Sequence, residues 1–250
     1  MQASRRGRLA LLVLLACCCA GFVALGSWQV QRLHWKRALI ARVDARVHAA
    51  PVPPPARSDW PRIGVERDEY RRLELRGTYL RGLDTQTQAL TELGAGHWVL
   101  SPLQLADGSI VLVNRGFVPD GVHPAPPPPS EVRVRGLLRI SEPGGGFLRD
   151  NRPGQDRWYS RDVAAIAQAR GLRDVAPYFV DAEADEGAGA GSGWPRAGMT
   201  VIHFRNQHLQ YALTWFVLAA MALWGIWRLL SDSRHMRHHG GDADGNDAQR

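Results

Sequence analysis

Leu9-Ala-Leu-Leu-Val-Leu-Leu-Ala-Cys-Cys-Cys-Ala-Gly-Phe-Val-Ala-Leu-Gly-Ser-Trp28 carries no charged residue. A helix rises 1.5 Å per residue, so a run of this length matches the roughly 30 Å hydrocarbon core of a bilayer. Leu209 to Trp227 is again free of charge, with Arg228 beyond it as Arg8 precedes the first run. Over the 250 residues 45% are hydrophobic, yet the mean hydropathy is slightly negative, so the apolar residues are gathered at the two ends. The reading is an α+β membrane protein, with N- and C-terminal transmembrane helices flanking a β-rich exported domain that has one short helix. Its parts are an N-terminal cytoplasmic segment 1–8, a first transmembrane helix 9–28, an exported domain 29–205, a second transmembrane helix with an interfacial motif 206–228 and a cytoplasmic basic tail 229–250.

The first run has two rival readings. A cleaved signal peptide also places arginines such as Arg5, Arg6 and Arg8 before an apolar core, but that core is shorter and ends at a small-residue cleavage site. Leu14-Leu-Ala-Cys17 resembles a lipoprotein box, which would put a lipid on Cys17. Continuation of the apolar run through Gly21 to Trp28 favours an uncleaved anchor. Orientation follows from the second helix, where Arg228, Arg234 and Arg237 come after the span and only Arg205 lies close before it. Positive residues stay on the cytoplasmic side, so both tails are expected there and the central segment is expected to be periplasmic, in a bacterial inner membrane.

The net charge of +7 is almost wholly arginine, since Lys36 is the only lysine. No basic helix or aromatic-basic interleaving marks a nucleic-acid surface, so no nucleic-acid partner is expected. The 3 cysteines, Cys17, Cys18 and Cys19, all fall in the first span, which leaves the middle without a disulfide or a thiolate ligand. As small apolar residues they suit helix packing better than metal binding.

Gln29 to His48 has helical spacing and continues the first helix until Pro51-Val-Pro-Pro-Pro55 stops it. Alternation of polar and apolar residues predicts strands at Tyr70–Arg76 and Glu131–Arg135, and turn signals bound further strands at Ser109–Asn114, Pro177–Asp181 and Met199–Phe204. His97–Leu103 would pair with Ser109–Asn114 across Asp107-Gly108 as a hairpin. Asp162–Ala169, closed by Gly171, reads as the helix of the domain, Pro124–Pro129 as a stiff surface linker, and Ala182–Gly193 as an acidic, glycine-rich loop.

Catalytic constellations are missing. There is no Gly-x-Ser-x-Gly, no phosphate-binding Gly-x-x-x-x-Gly-Lys and no His-Glu-x-x-His, so the protein is expected not to be an enzyme. His48, His97 and His123 are scattered, and His235, His238 and His239 read as a solvated tail. The informative residues stand where the domain meets the membrane. Helical spacing puts His208, Tyr211 and Trp215 on one face of the second helix, and Trp28, Arg32 and Trp35 on one face of the first at the same depth. An imidazole, aromatic walls and a guanidinium are what an amphipathic haem requires: an axial nitrogen for the iron, an apolar slot and a cation for the propionates. The same residue types are also ordinary interfacial anchors.

At these residues the chain resembles the Surfeit locus protein 1 family of cytochrome c oxidase assembly factors. The resemblance is carried by Leu25-Gly-Ser-Trp-Gln-Val-Gln-Arg32 with Trp35-Lys36, by Val111-Leu-Val-Asn-Arg-Gly-Phe-Val-Pro119, and by Asn206-Gln-His-Leu-Gln-Tyr-Ala-Leu-Thr-Trp-Phe216. Gly77 in Arg76-Gly-Thr-Tyr79, Trp158-Tyr159 and Pro177-Tyr178 fall between them in the family's order. Phe117 stands where the family usually has Trp, and Gln207 where it usually has Asn. The resemblance implies a non-enzymatic chaperone that binds haem a transiently, through a histidine carried over to His208, and aids its delivery to the largest subunit of an aa3-type oxidase. Haem a synthase is a further partner it admits. Asn114 reads as turn chemistry in Asn-Arg-Gly, and Arg115 as a contact for a propionate or a partner. A scaffold that holds an oxidase intermediate without touching haem is the alternative.

Overall fold

The structure is a computed structural model and describes residues 2–146, 148–183, 193–200 and 207–238. It divides into two compact units, one made of residues 1–41 with 203–250 and the other of residues 42–202. Helix α1 (Gln2–Val47) is unbroken through the predicted boundary at Trp28. Its 46 residues reach about 70 Å, more than twice the thickness of a bilayer core. A bilayer spanned by the apolar half therefore leaves the charged half from Gln29 onward in water. The helix ends before Pro51, which cannot supply a backbone N–H to a further turn.

The second unit opens with a short 3-10 helix (Arg57–Arg62) and the single turn α2 (Val65–Asp68). Strands follow at β1 (Arg72–Tyr79), β2 (Thr85–Thr91), β3 (Gly94–Leu105), β4 (Ile110–Pro119) and β5 (Val132–Ile140). After a two-residue hairpin, β6 (Gly145–Gly146) and β7 (Arg149–Asp150), come α3 (Val163–Ala169) and β8 (Val175–Ala182). The sheet runs β1-β5-β8-β4-β3-β2, and β3 also pairs with β1, from Gly77 opposite Leu105 to Tyr79 opposite Leu103. That pairing closes β1, β5, β8, β4 and β3 into a barrel, with β2 outside the ring on the first half of β3. Closure supplies partners for backbone groups that an open sheet leaves at its edges. At the closing seam, a Cβ on Gly77 would fall 2.1 Å from the carbonyl oxygen of Gln104, so only glycine permits this approach.

The pleat decides what fills the barrel. Leu73, Leu75 and Tyr79 of β1 turn inward with Leu103, Val111, Val113, Val134, Leu138, Tyr178 and Val180, forming one apolar core. On the outer face of β3, β4 and β8, Leu100, Leu112 and Phe179 are covered by Val163 and Ile166 of α3 and by Trp158. Helix α3 begins as predicted. The Asp162 carboxylate accepts the Ala165 amide at 3.1 Å, and Gly171 takes a left-handed φ of 65° beyond its end.

Several sequence expectations change here. Besides α3, the β-rich domain contains the turn α2, so it has more than one short helix. Asn114 does not sit in a turn: β4 continues through it to Pro119, with Gly116 at φ 127°. Strand β2 was not predicted. Met199 and Thr200 are not in a strand, and the rest of the predicted strand to Phe204, like most of the loop between Ala182 and Gly193, lies outside the described residues.

Helix α4 (His208–His238) pairs with α1. The Arg8 guanidinium donates to the Leu229 carbonyl, the Leu15 side chain stands where a Cβ on Gly225 would meet it, and the Cys19 thiol approaches the Ala219 carbonyl at 3.7 Å. Further along, Phe22 stacks on Trp215, Gly26 faces Phe216, and Gln29 meets His208. Partners descend on α4 as they rise on α1, so the helices are antiparallel and the start of α1 lies beside the end of the α4 span. The less exposed positions include Phe22, Gly26, Gln29 and Leu33 on α1, and His208, Ala212, Trp215, Ala219 and Ala222 on α4. Both sets alternate steps of four and three, the spacing of a left-handed helix pair. A Cβ on Gly26 would lie 2.8 Å from the Phe216 ring.

Candidate functional site

The polar end of this helix seam holds the predicted histidine. His208 is the first residue of α4, is partly buried, and places Nδ1 2.8 Å from the Gln29 side-chain oxygen of α1. Two turns along α4, Trp215 stacks on Phe22 with ring centroids 5.8 Å apart and planes inclined by 25°. His208 and Trp215 are thus brought into the seam. Tyr211 stands at its margin, 52% exposed. Trp28 and Trp35 point outward at 55% and 51% exposure, and Arg32 lies over the Trp35 ring at 4.2 Å. The face of α1 that meets α4 is therefore Phe22-Gly26-Gln29-Leu33, and Trp28, Arg32 and Trp35 form a flank beside it.

Sequence reasoning passed over Gln29 and Phe22. The signal available was the three- and four-residue spacing through Gly26, Gln29 and Leu33, which the more conspicuous aromatic spacing obscured. The donor set suits one axial contact to a haem iron. A neutral imidazole with one nitrogen engaged keeps a lone pair on the other, the outward tryptophans offer flat apolar surface, and Arg32 supplies a cation one turn from Gln29. Among the described residues no group of three or more His, Cys, Asp or Glu could hold a bare metal ion. His48 pairs with Asp44 and His97 with Asp120, 3.3 and 3.2 Å away, and these histidines are not brought together. His203, Arg205, Asn206 and His239 lie outside the described residues.

The central motif builds a different centre, inside the barrel unit. The buried Asp181 carboxylate accepts from Asn114 at 2.8 Å, Arg139 at 2.9 Å, Thr200 at 3.0 Å and Arg161 at 3.3 Å. The Asn114 side-chain oxygen Oδ1 in turn accepts the Gly116 amide at 3.1 Å, bracing β4 where it bends. A cavity of about 200 Å³ opens beside these groups and Trp98. Arg161 also binds Glu142, and Arg139 binds Glu69. Burial would raise the Glu142 carboxyl, but the bonds from Arg161 outweigh it and hold the group below the ordinary glutamate value. The arginines are matched by carboxylates, so this cluster locks strands together and is not a free anion pocket. Arg115 donates to the Ala125 carbonyl at 2.9 Å and lies 5.8 Å from the Tyr79 ring, tying the proline-rich linker to the barrel. Phe117 is fully buried between Trp98 and Trp194, with centroids 5.8 and 6.2 Å away.

These features define a class: a β-barrel domain inserted between two helices that are each long and apolar enough to cross a membrane and that share a histidine-bearing seam. The chain belongs to the SURF1 family, whose model matches residues 16–220 and so takes in both sides of that seam. It is 35% identical to Surfeit locus protein 1 of Mus musculus over 217 residues, covering 78% of this chain and 68% of the relative. Over 218 residues it is 34% identical to the Homo sapiens protein, covering 78% and 69%. A SURF1-like protein of Monosiga brevicollis is 34% identical over 238 residues, covering 88% and 85%.

Proposed function

We propose that this protein is a membrane-embedded, non-enzymatic assembly factor for an aa3-type cytochrome c oxidase, binding haem a through His208 and aiding its delivery to the largest oxidase subunit. Membership of the SURF1 family supports the assembly role. The observation that carries the haem reading is the place of His208, at the polar end of an apolar helix seam with one ring nitrogen engaged by Gln29. Iron in a bound haem takes an axial nitrogen donor, and a donor set of one imidazole suits a carrier that must release its cargo. Trp28, Tyr211 and Trp215 supply aromatic surface, and Arg32 a cation for the propionates. The positive residues beside the chain ends support cytoplasmic tails in a bacterial inner membrane, with the barrel unit on the periplasmic side. Haem a synthase is the natural donor in this scheme, handing over a ligand too hydrophobic to travel through water.

A scaffold without haem is the competing reading, favoured by the outward exposure of Trp28, Trp35 and Tyr211, which interfacial anchors share. His208→Ala separates the two. The variant should insert and accumulate as the parent does, yet purify without haem a absorbance and leave the oxidase haem-deficient. His203→Ala serves as the control and should keep its haem. Full haem occupancy with an unchanged spectrum in His208→Ala would put the scaffold first.

A further inference from the structure

We infer that Gln29 is a positioning residue for His208: its side-chain oxygen accepts the Nδ1 proton, fixes the tautomer and orientation of the ring, and makes Nε2 the nitrogen offered to the haem iron. The inference rests on His208 being the haem ligand, as proposed above. A neutral imidazole carries its proton on either nitrogen, and the partner on one nitrogen decides which of them keeps a lone pair. His208 is the first residue of its helix. A contact that confines its ring is the 2.8 Å approach of the Gln29 oxygen from the facing helix.

Gln29 is well placed to hold it. It sits mid-way along an unbroken helix, in a seam set by Gly26 against Phe216 on one side and flanked by Leu33 on the other. Both side chains are partly buried, and the bond that joins them across the seam restricts the rotation of each. The chemistry of the partner also matters. A carboxylate on Nδ1–H makes an imidazole a more basic, more tightly binding ligand, whereas a neutral amide orients the ring with little increase in basicity. An amide at position 29 therefore matches a site that binds and then releases.

The test uses the full chain in lipid nanodiscs. In haem-free protein labelled with ¹⁵N-histidine, the His208 shifts should report a proton on Nδ1 and a lone pair on Nε2. Gln29→Met, similar in length but unable to accept this proton, should lose that preference. Its affinity for added haem a should fall about 10- to 100-fold, with a displaced absorption band. Gln29→Glu, which keeps an acceptor of the same length, should restore the tautomer, tighten binding and lower the midpoint potential of the bound haem. If both variants keep the parental tautomer, affinity and band while His208→Ala loses haem, the role of Gln29 is overturned and the ligand assignment stands. If His208→Ala itself binds haem a as the parent does, the ligand assignment fails and the inference falls with it.

Discussion

Asp68 shows how a buried charge is kept in this barrel. Its side chain is fully enclosed, and it accepts from Arg71 at 2.8 Å, Arg67 at 2.9 Å and the Gly64 amide at 3.1 Å. Burial alone would raise its pKa, but the three hydrogen bonds together outweigh that and hold it below the ordinary value of 3.8. A carboxyl depressed in the folded state stabilises the fold fully above its unfolded pKa and loses that contribution as pH falls through the folded value. Asp68→Asn should therefore cost about 1–3 kcal/mol at neutral pH and flatten the acid limb of stability below about pH 4, read by urea unfolding at stepped pH. An unaltered acid limb would remove Asp68 from the account. Gly116 is the second sensitive position: at φ 127° an added Cβ would lie 2.1 Å from the Arg196 carbonyl oxygen. Gly116→Ala should lower stability by about 2 kcal/mol or more, through backbone strain and loss of the pairing between Phe117 and Arg196.

At the scale of elements, the α1–α4 seam makes a claim about register. Cys19 lies against Ala219, whereas Val217 is 58% exposed on the outward side. With Cys17 and Cys18 replaced by serine, Ala219→Cys should form an intramolecular disulfide with Cys19 on mild oxidation, and Val217→Cys should not. Mass spectrometry of the peptides decides it, and equal cross-linking of both variants would refute the register. Gly26→Leu should displace the Phe216 ring, which lies 2.8 Å from the position of a Cβ there, and loosen the His208–Gln29 contact one turn away. The sheet has the opposite concern, its free edge. Closure of β3 onto β1 leaves β2 outside the ring, and there Gln88 is bonded to Trp158, its amide donating to the carbonyl at 2.8 Å.

At the scale of the whole molecule, antiparallel helices put the start of α1 beside the end of α4, where the Arg8 guanidinium meets the Leu229 carbonyl. Arginines that flank an apolar span favour the cytoplasmic face, and Arg8 and Arg228 lie at this same end of the helix pair. A reporter active only outside the cytoplasm should therefore work when inserted between Glu183 and Gly193 and fail when fused after Arg250. The reverse pattern would invert the proposed topology.

The sequence by itself determined the charge-free runs within the two long helices, the strands whose faces alternate, the Asp162 cap of α3 and the histidine at the head of α4. Each depends on neighbours a few residues apart, so spacing is enough to reveal it. Strand β2 escaped because Thr85-Gln-Thr-Gln-Ala89 alternates without large apolar residues: Thr85, Thr87 and Ala89 are buried, Arg170 donates to the Thr85 hydroxyl and Thr87 is bridged to Trp158, and these partners are distant in the chain. Asn114 escaped because its role is set by Asp181, which is distant in the chain. On α1 the faces through Trp28 and through Gly26 are equally helical, and spacing could not choose between them. Tertiary packing chose: the Phe216 ring lies over Gly26, 2.8 Å from where a Cβ would stand, and the same helix pairing brings Gln29, not Arg32, to His208.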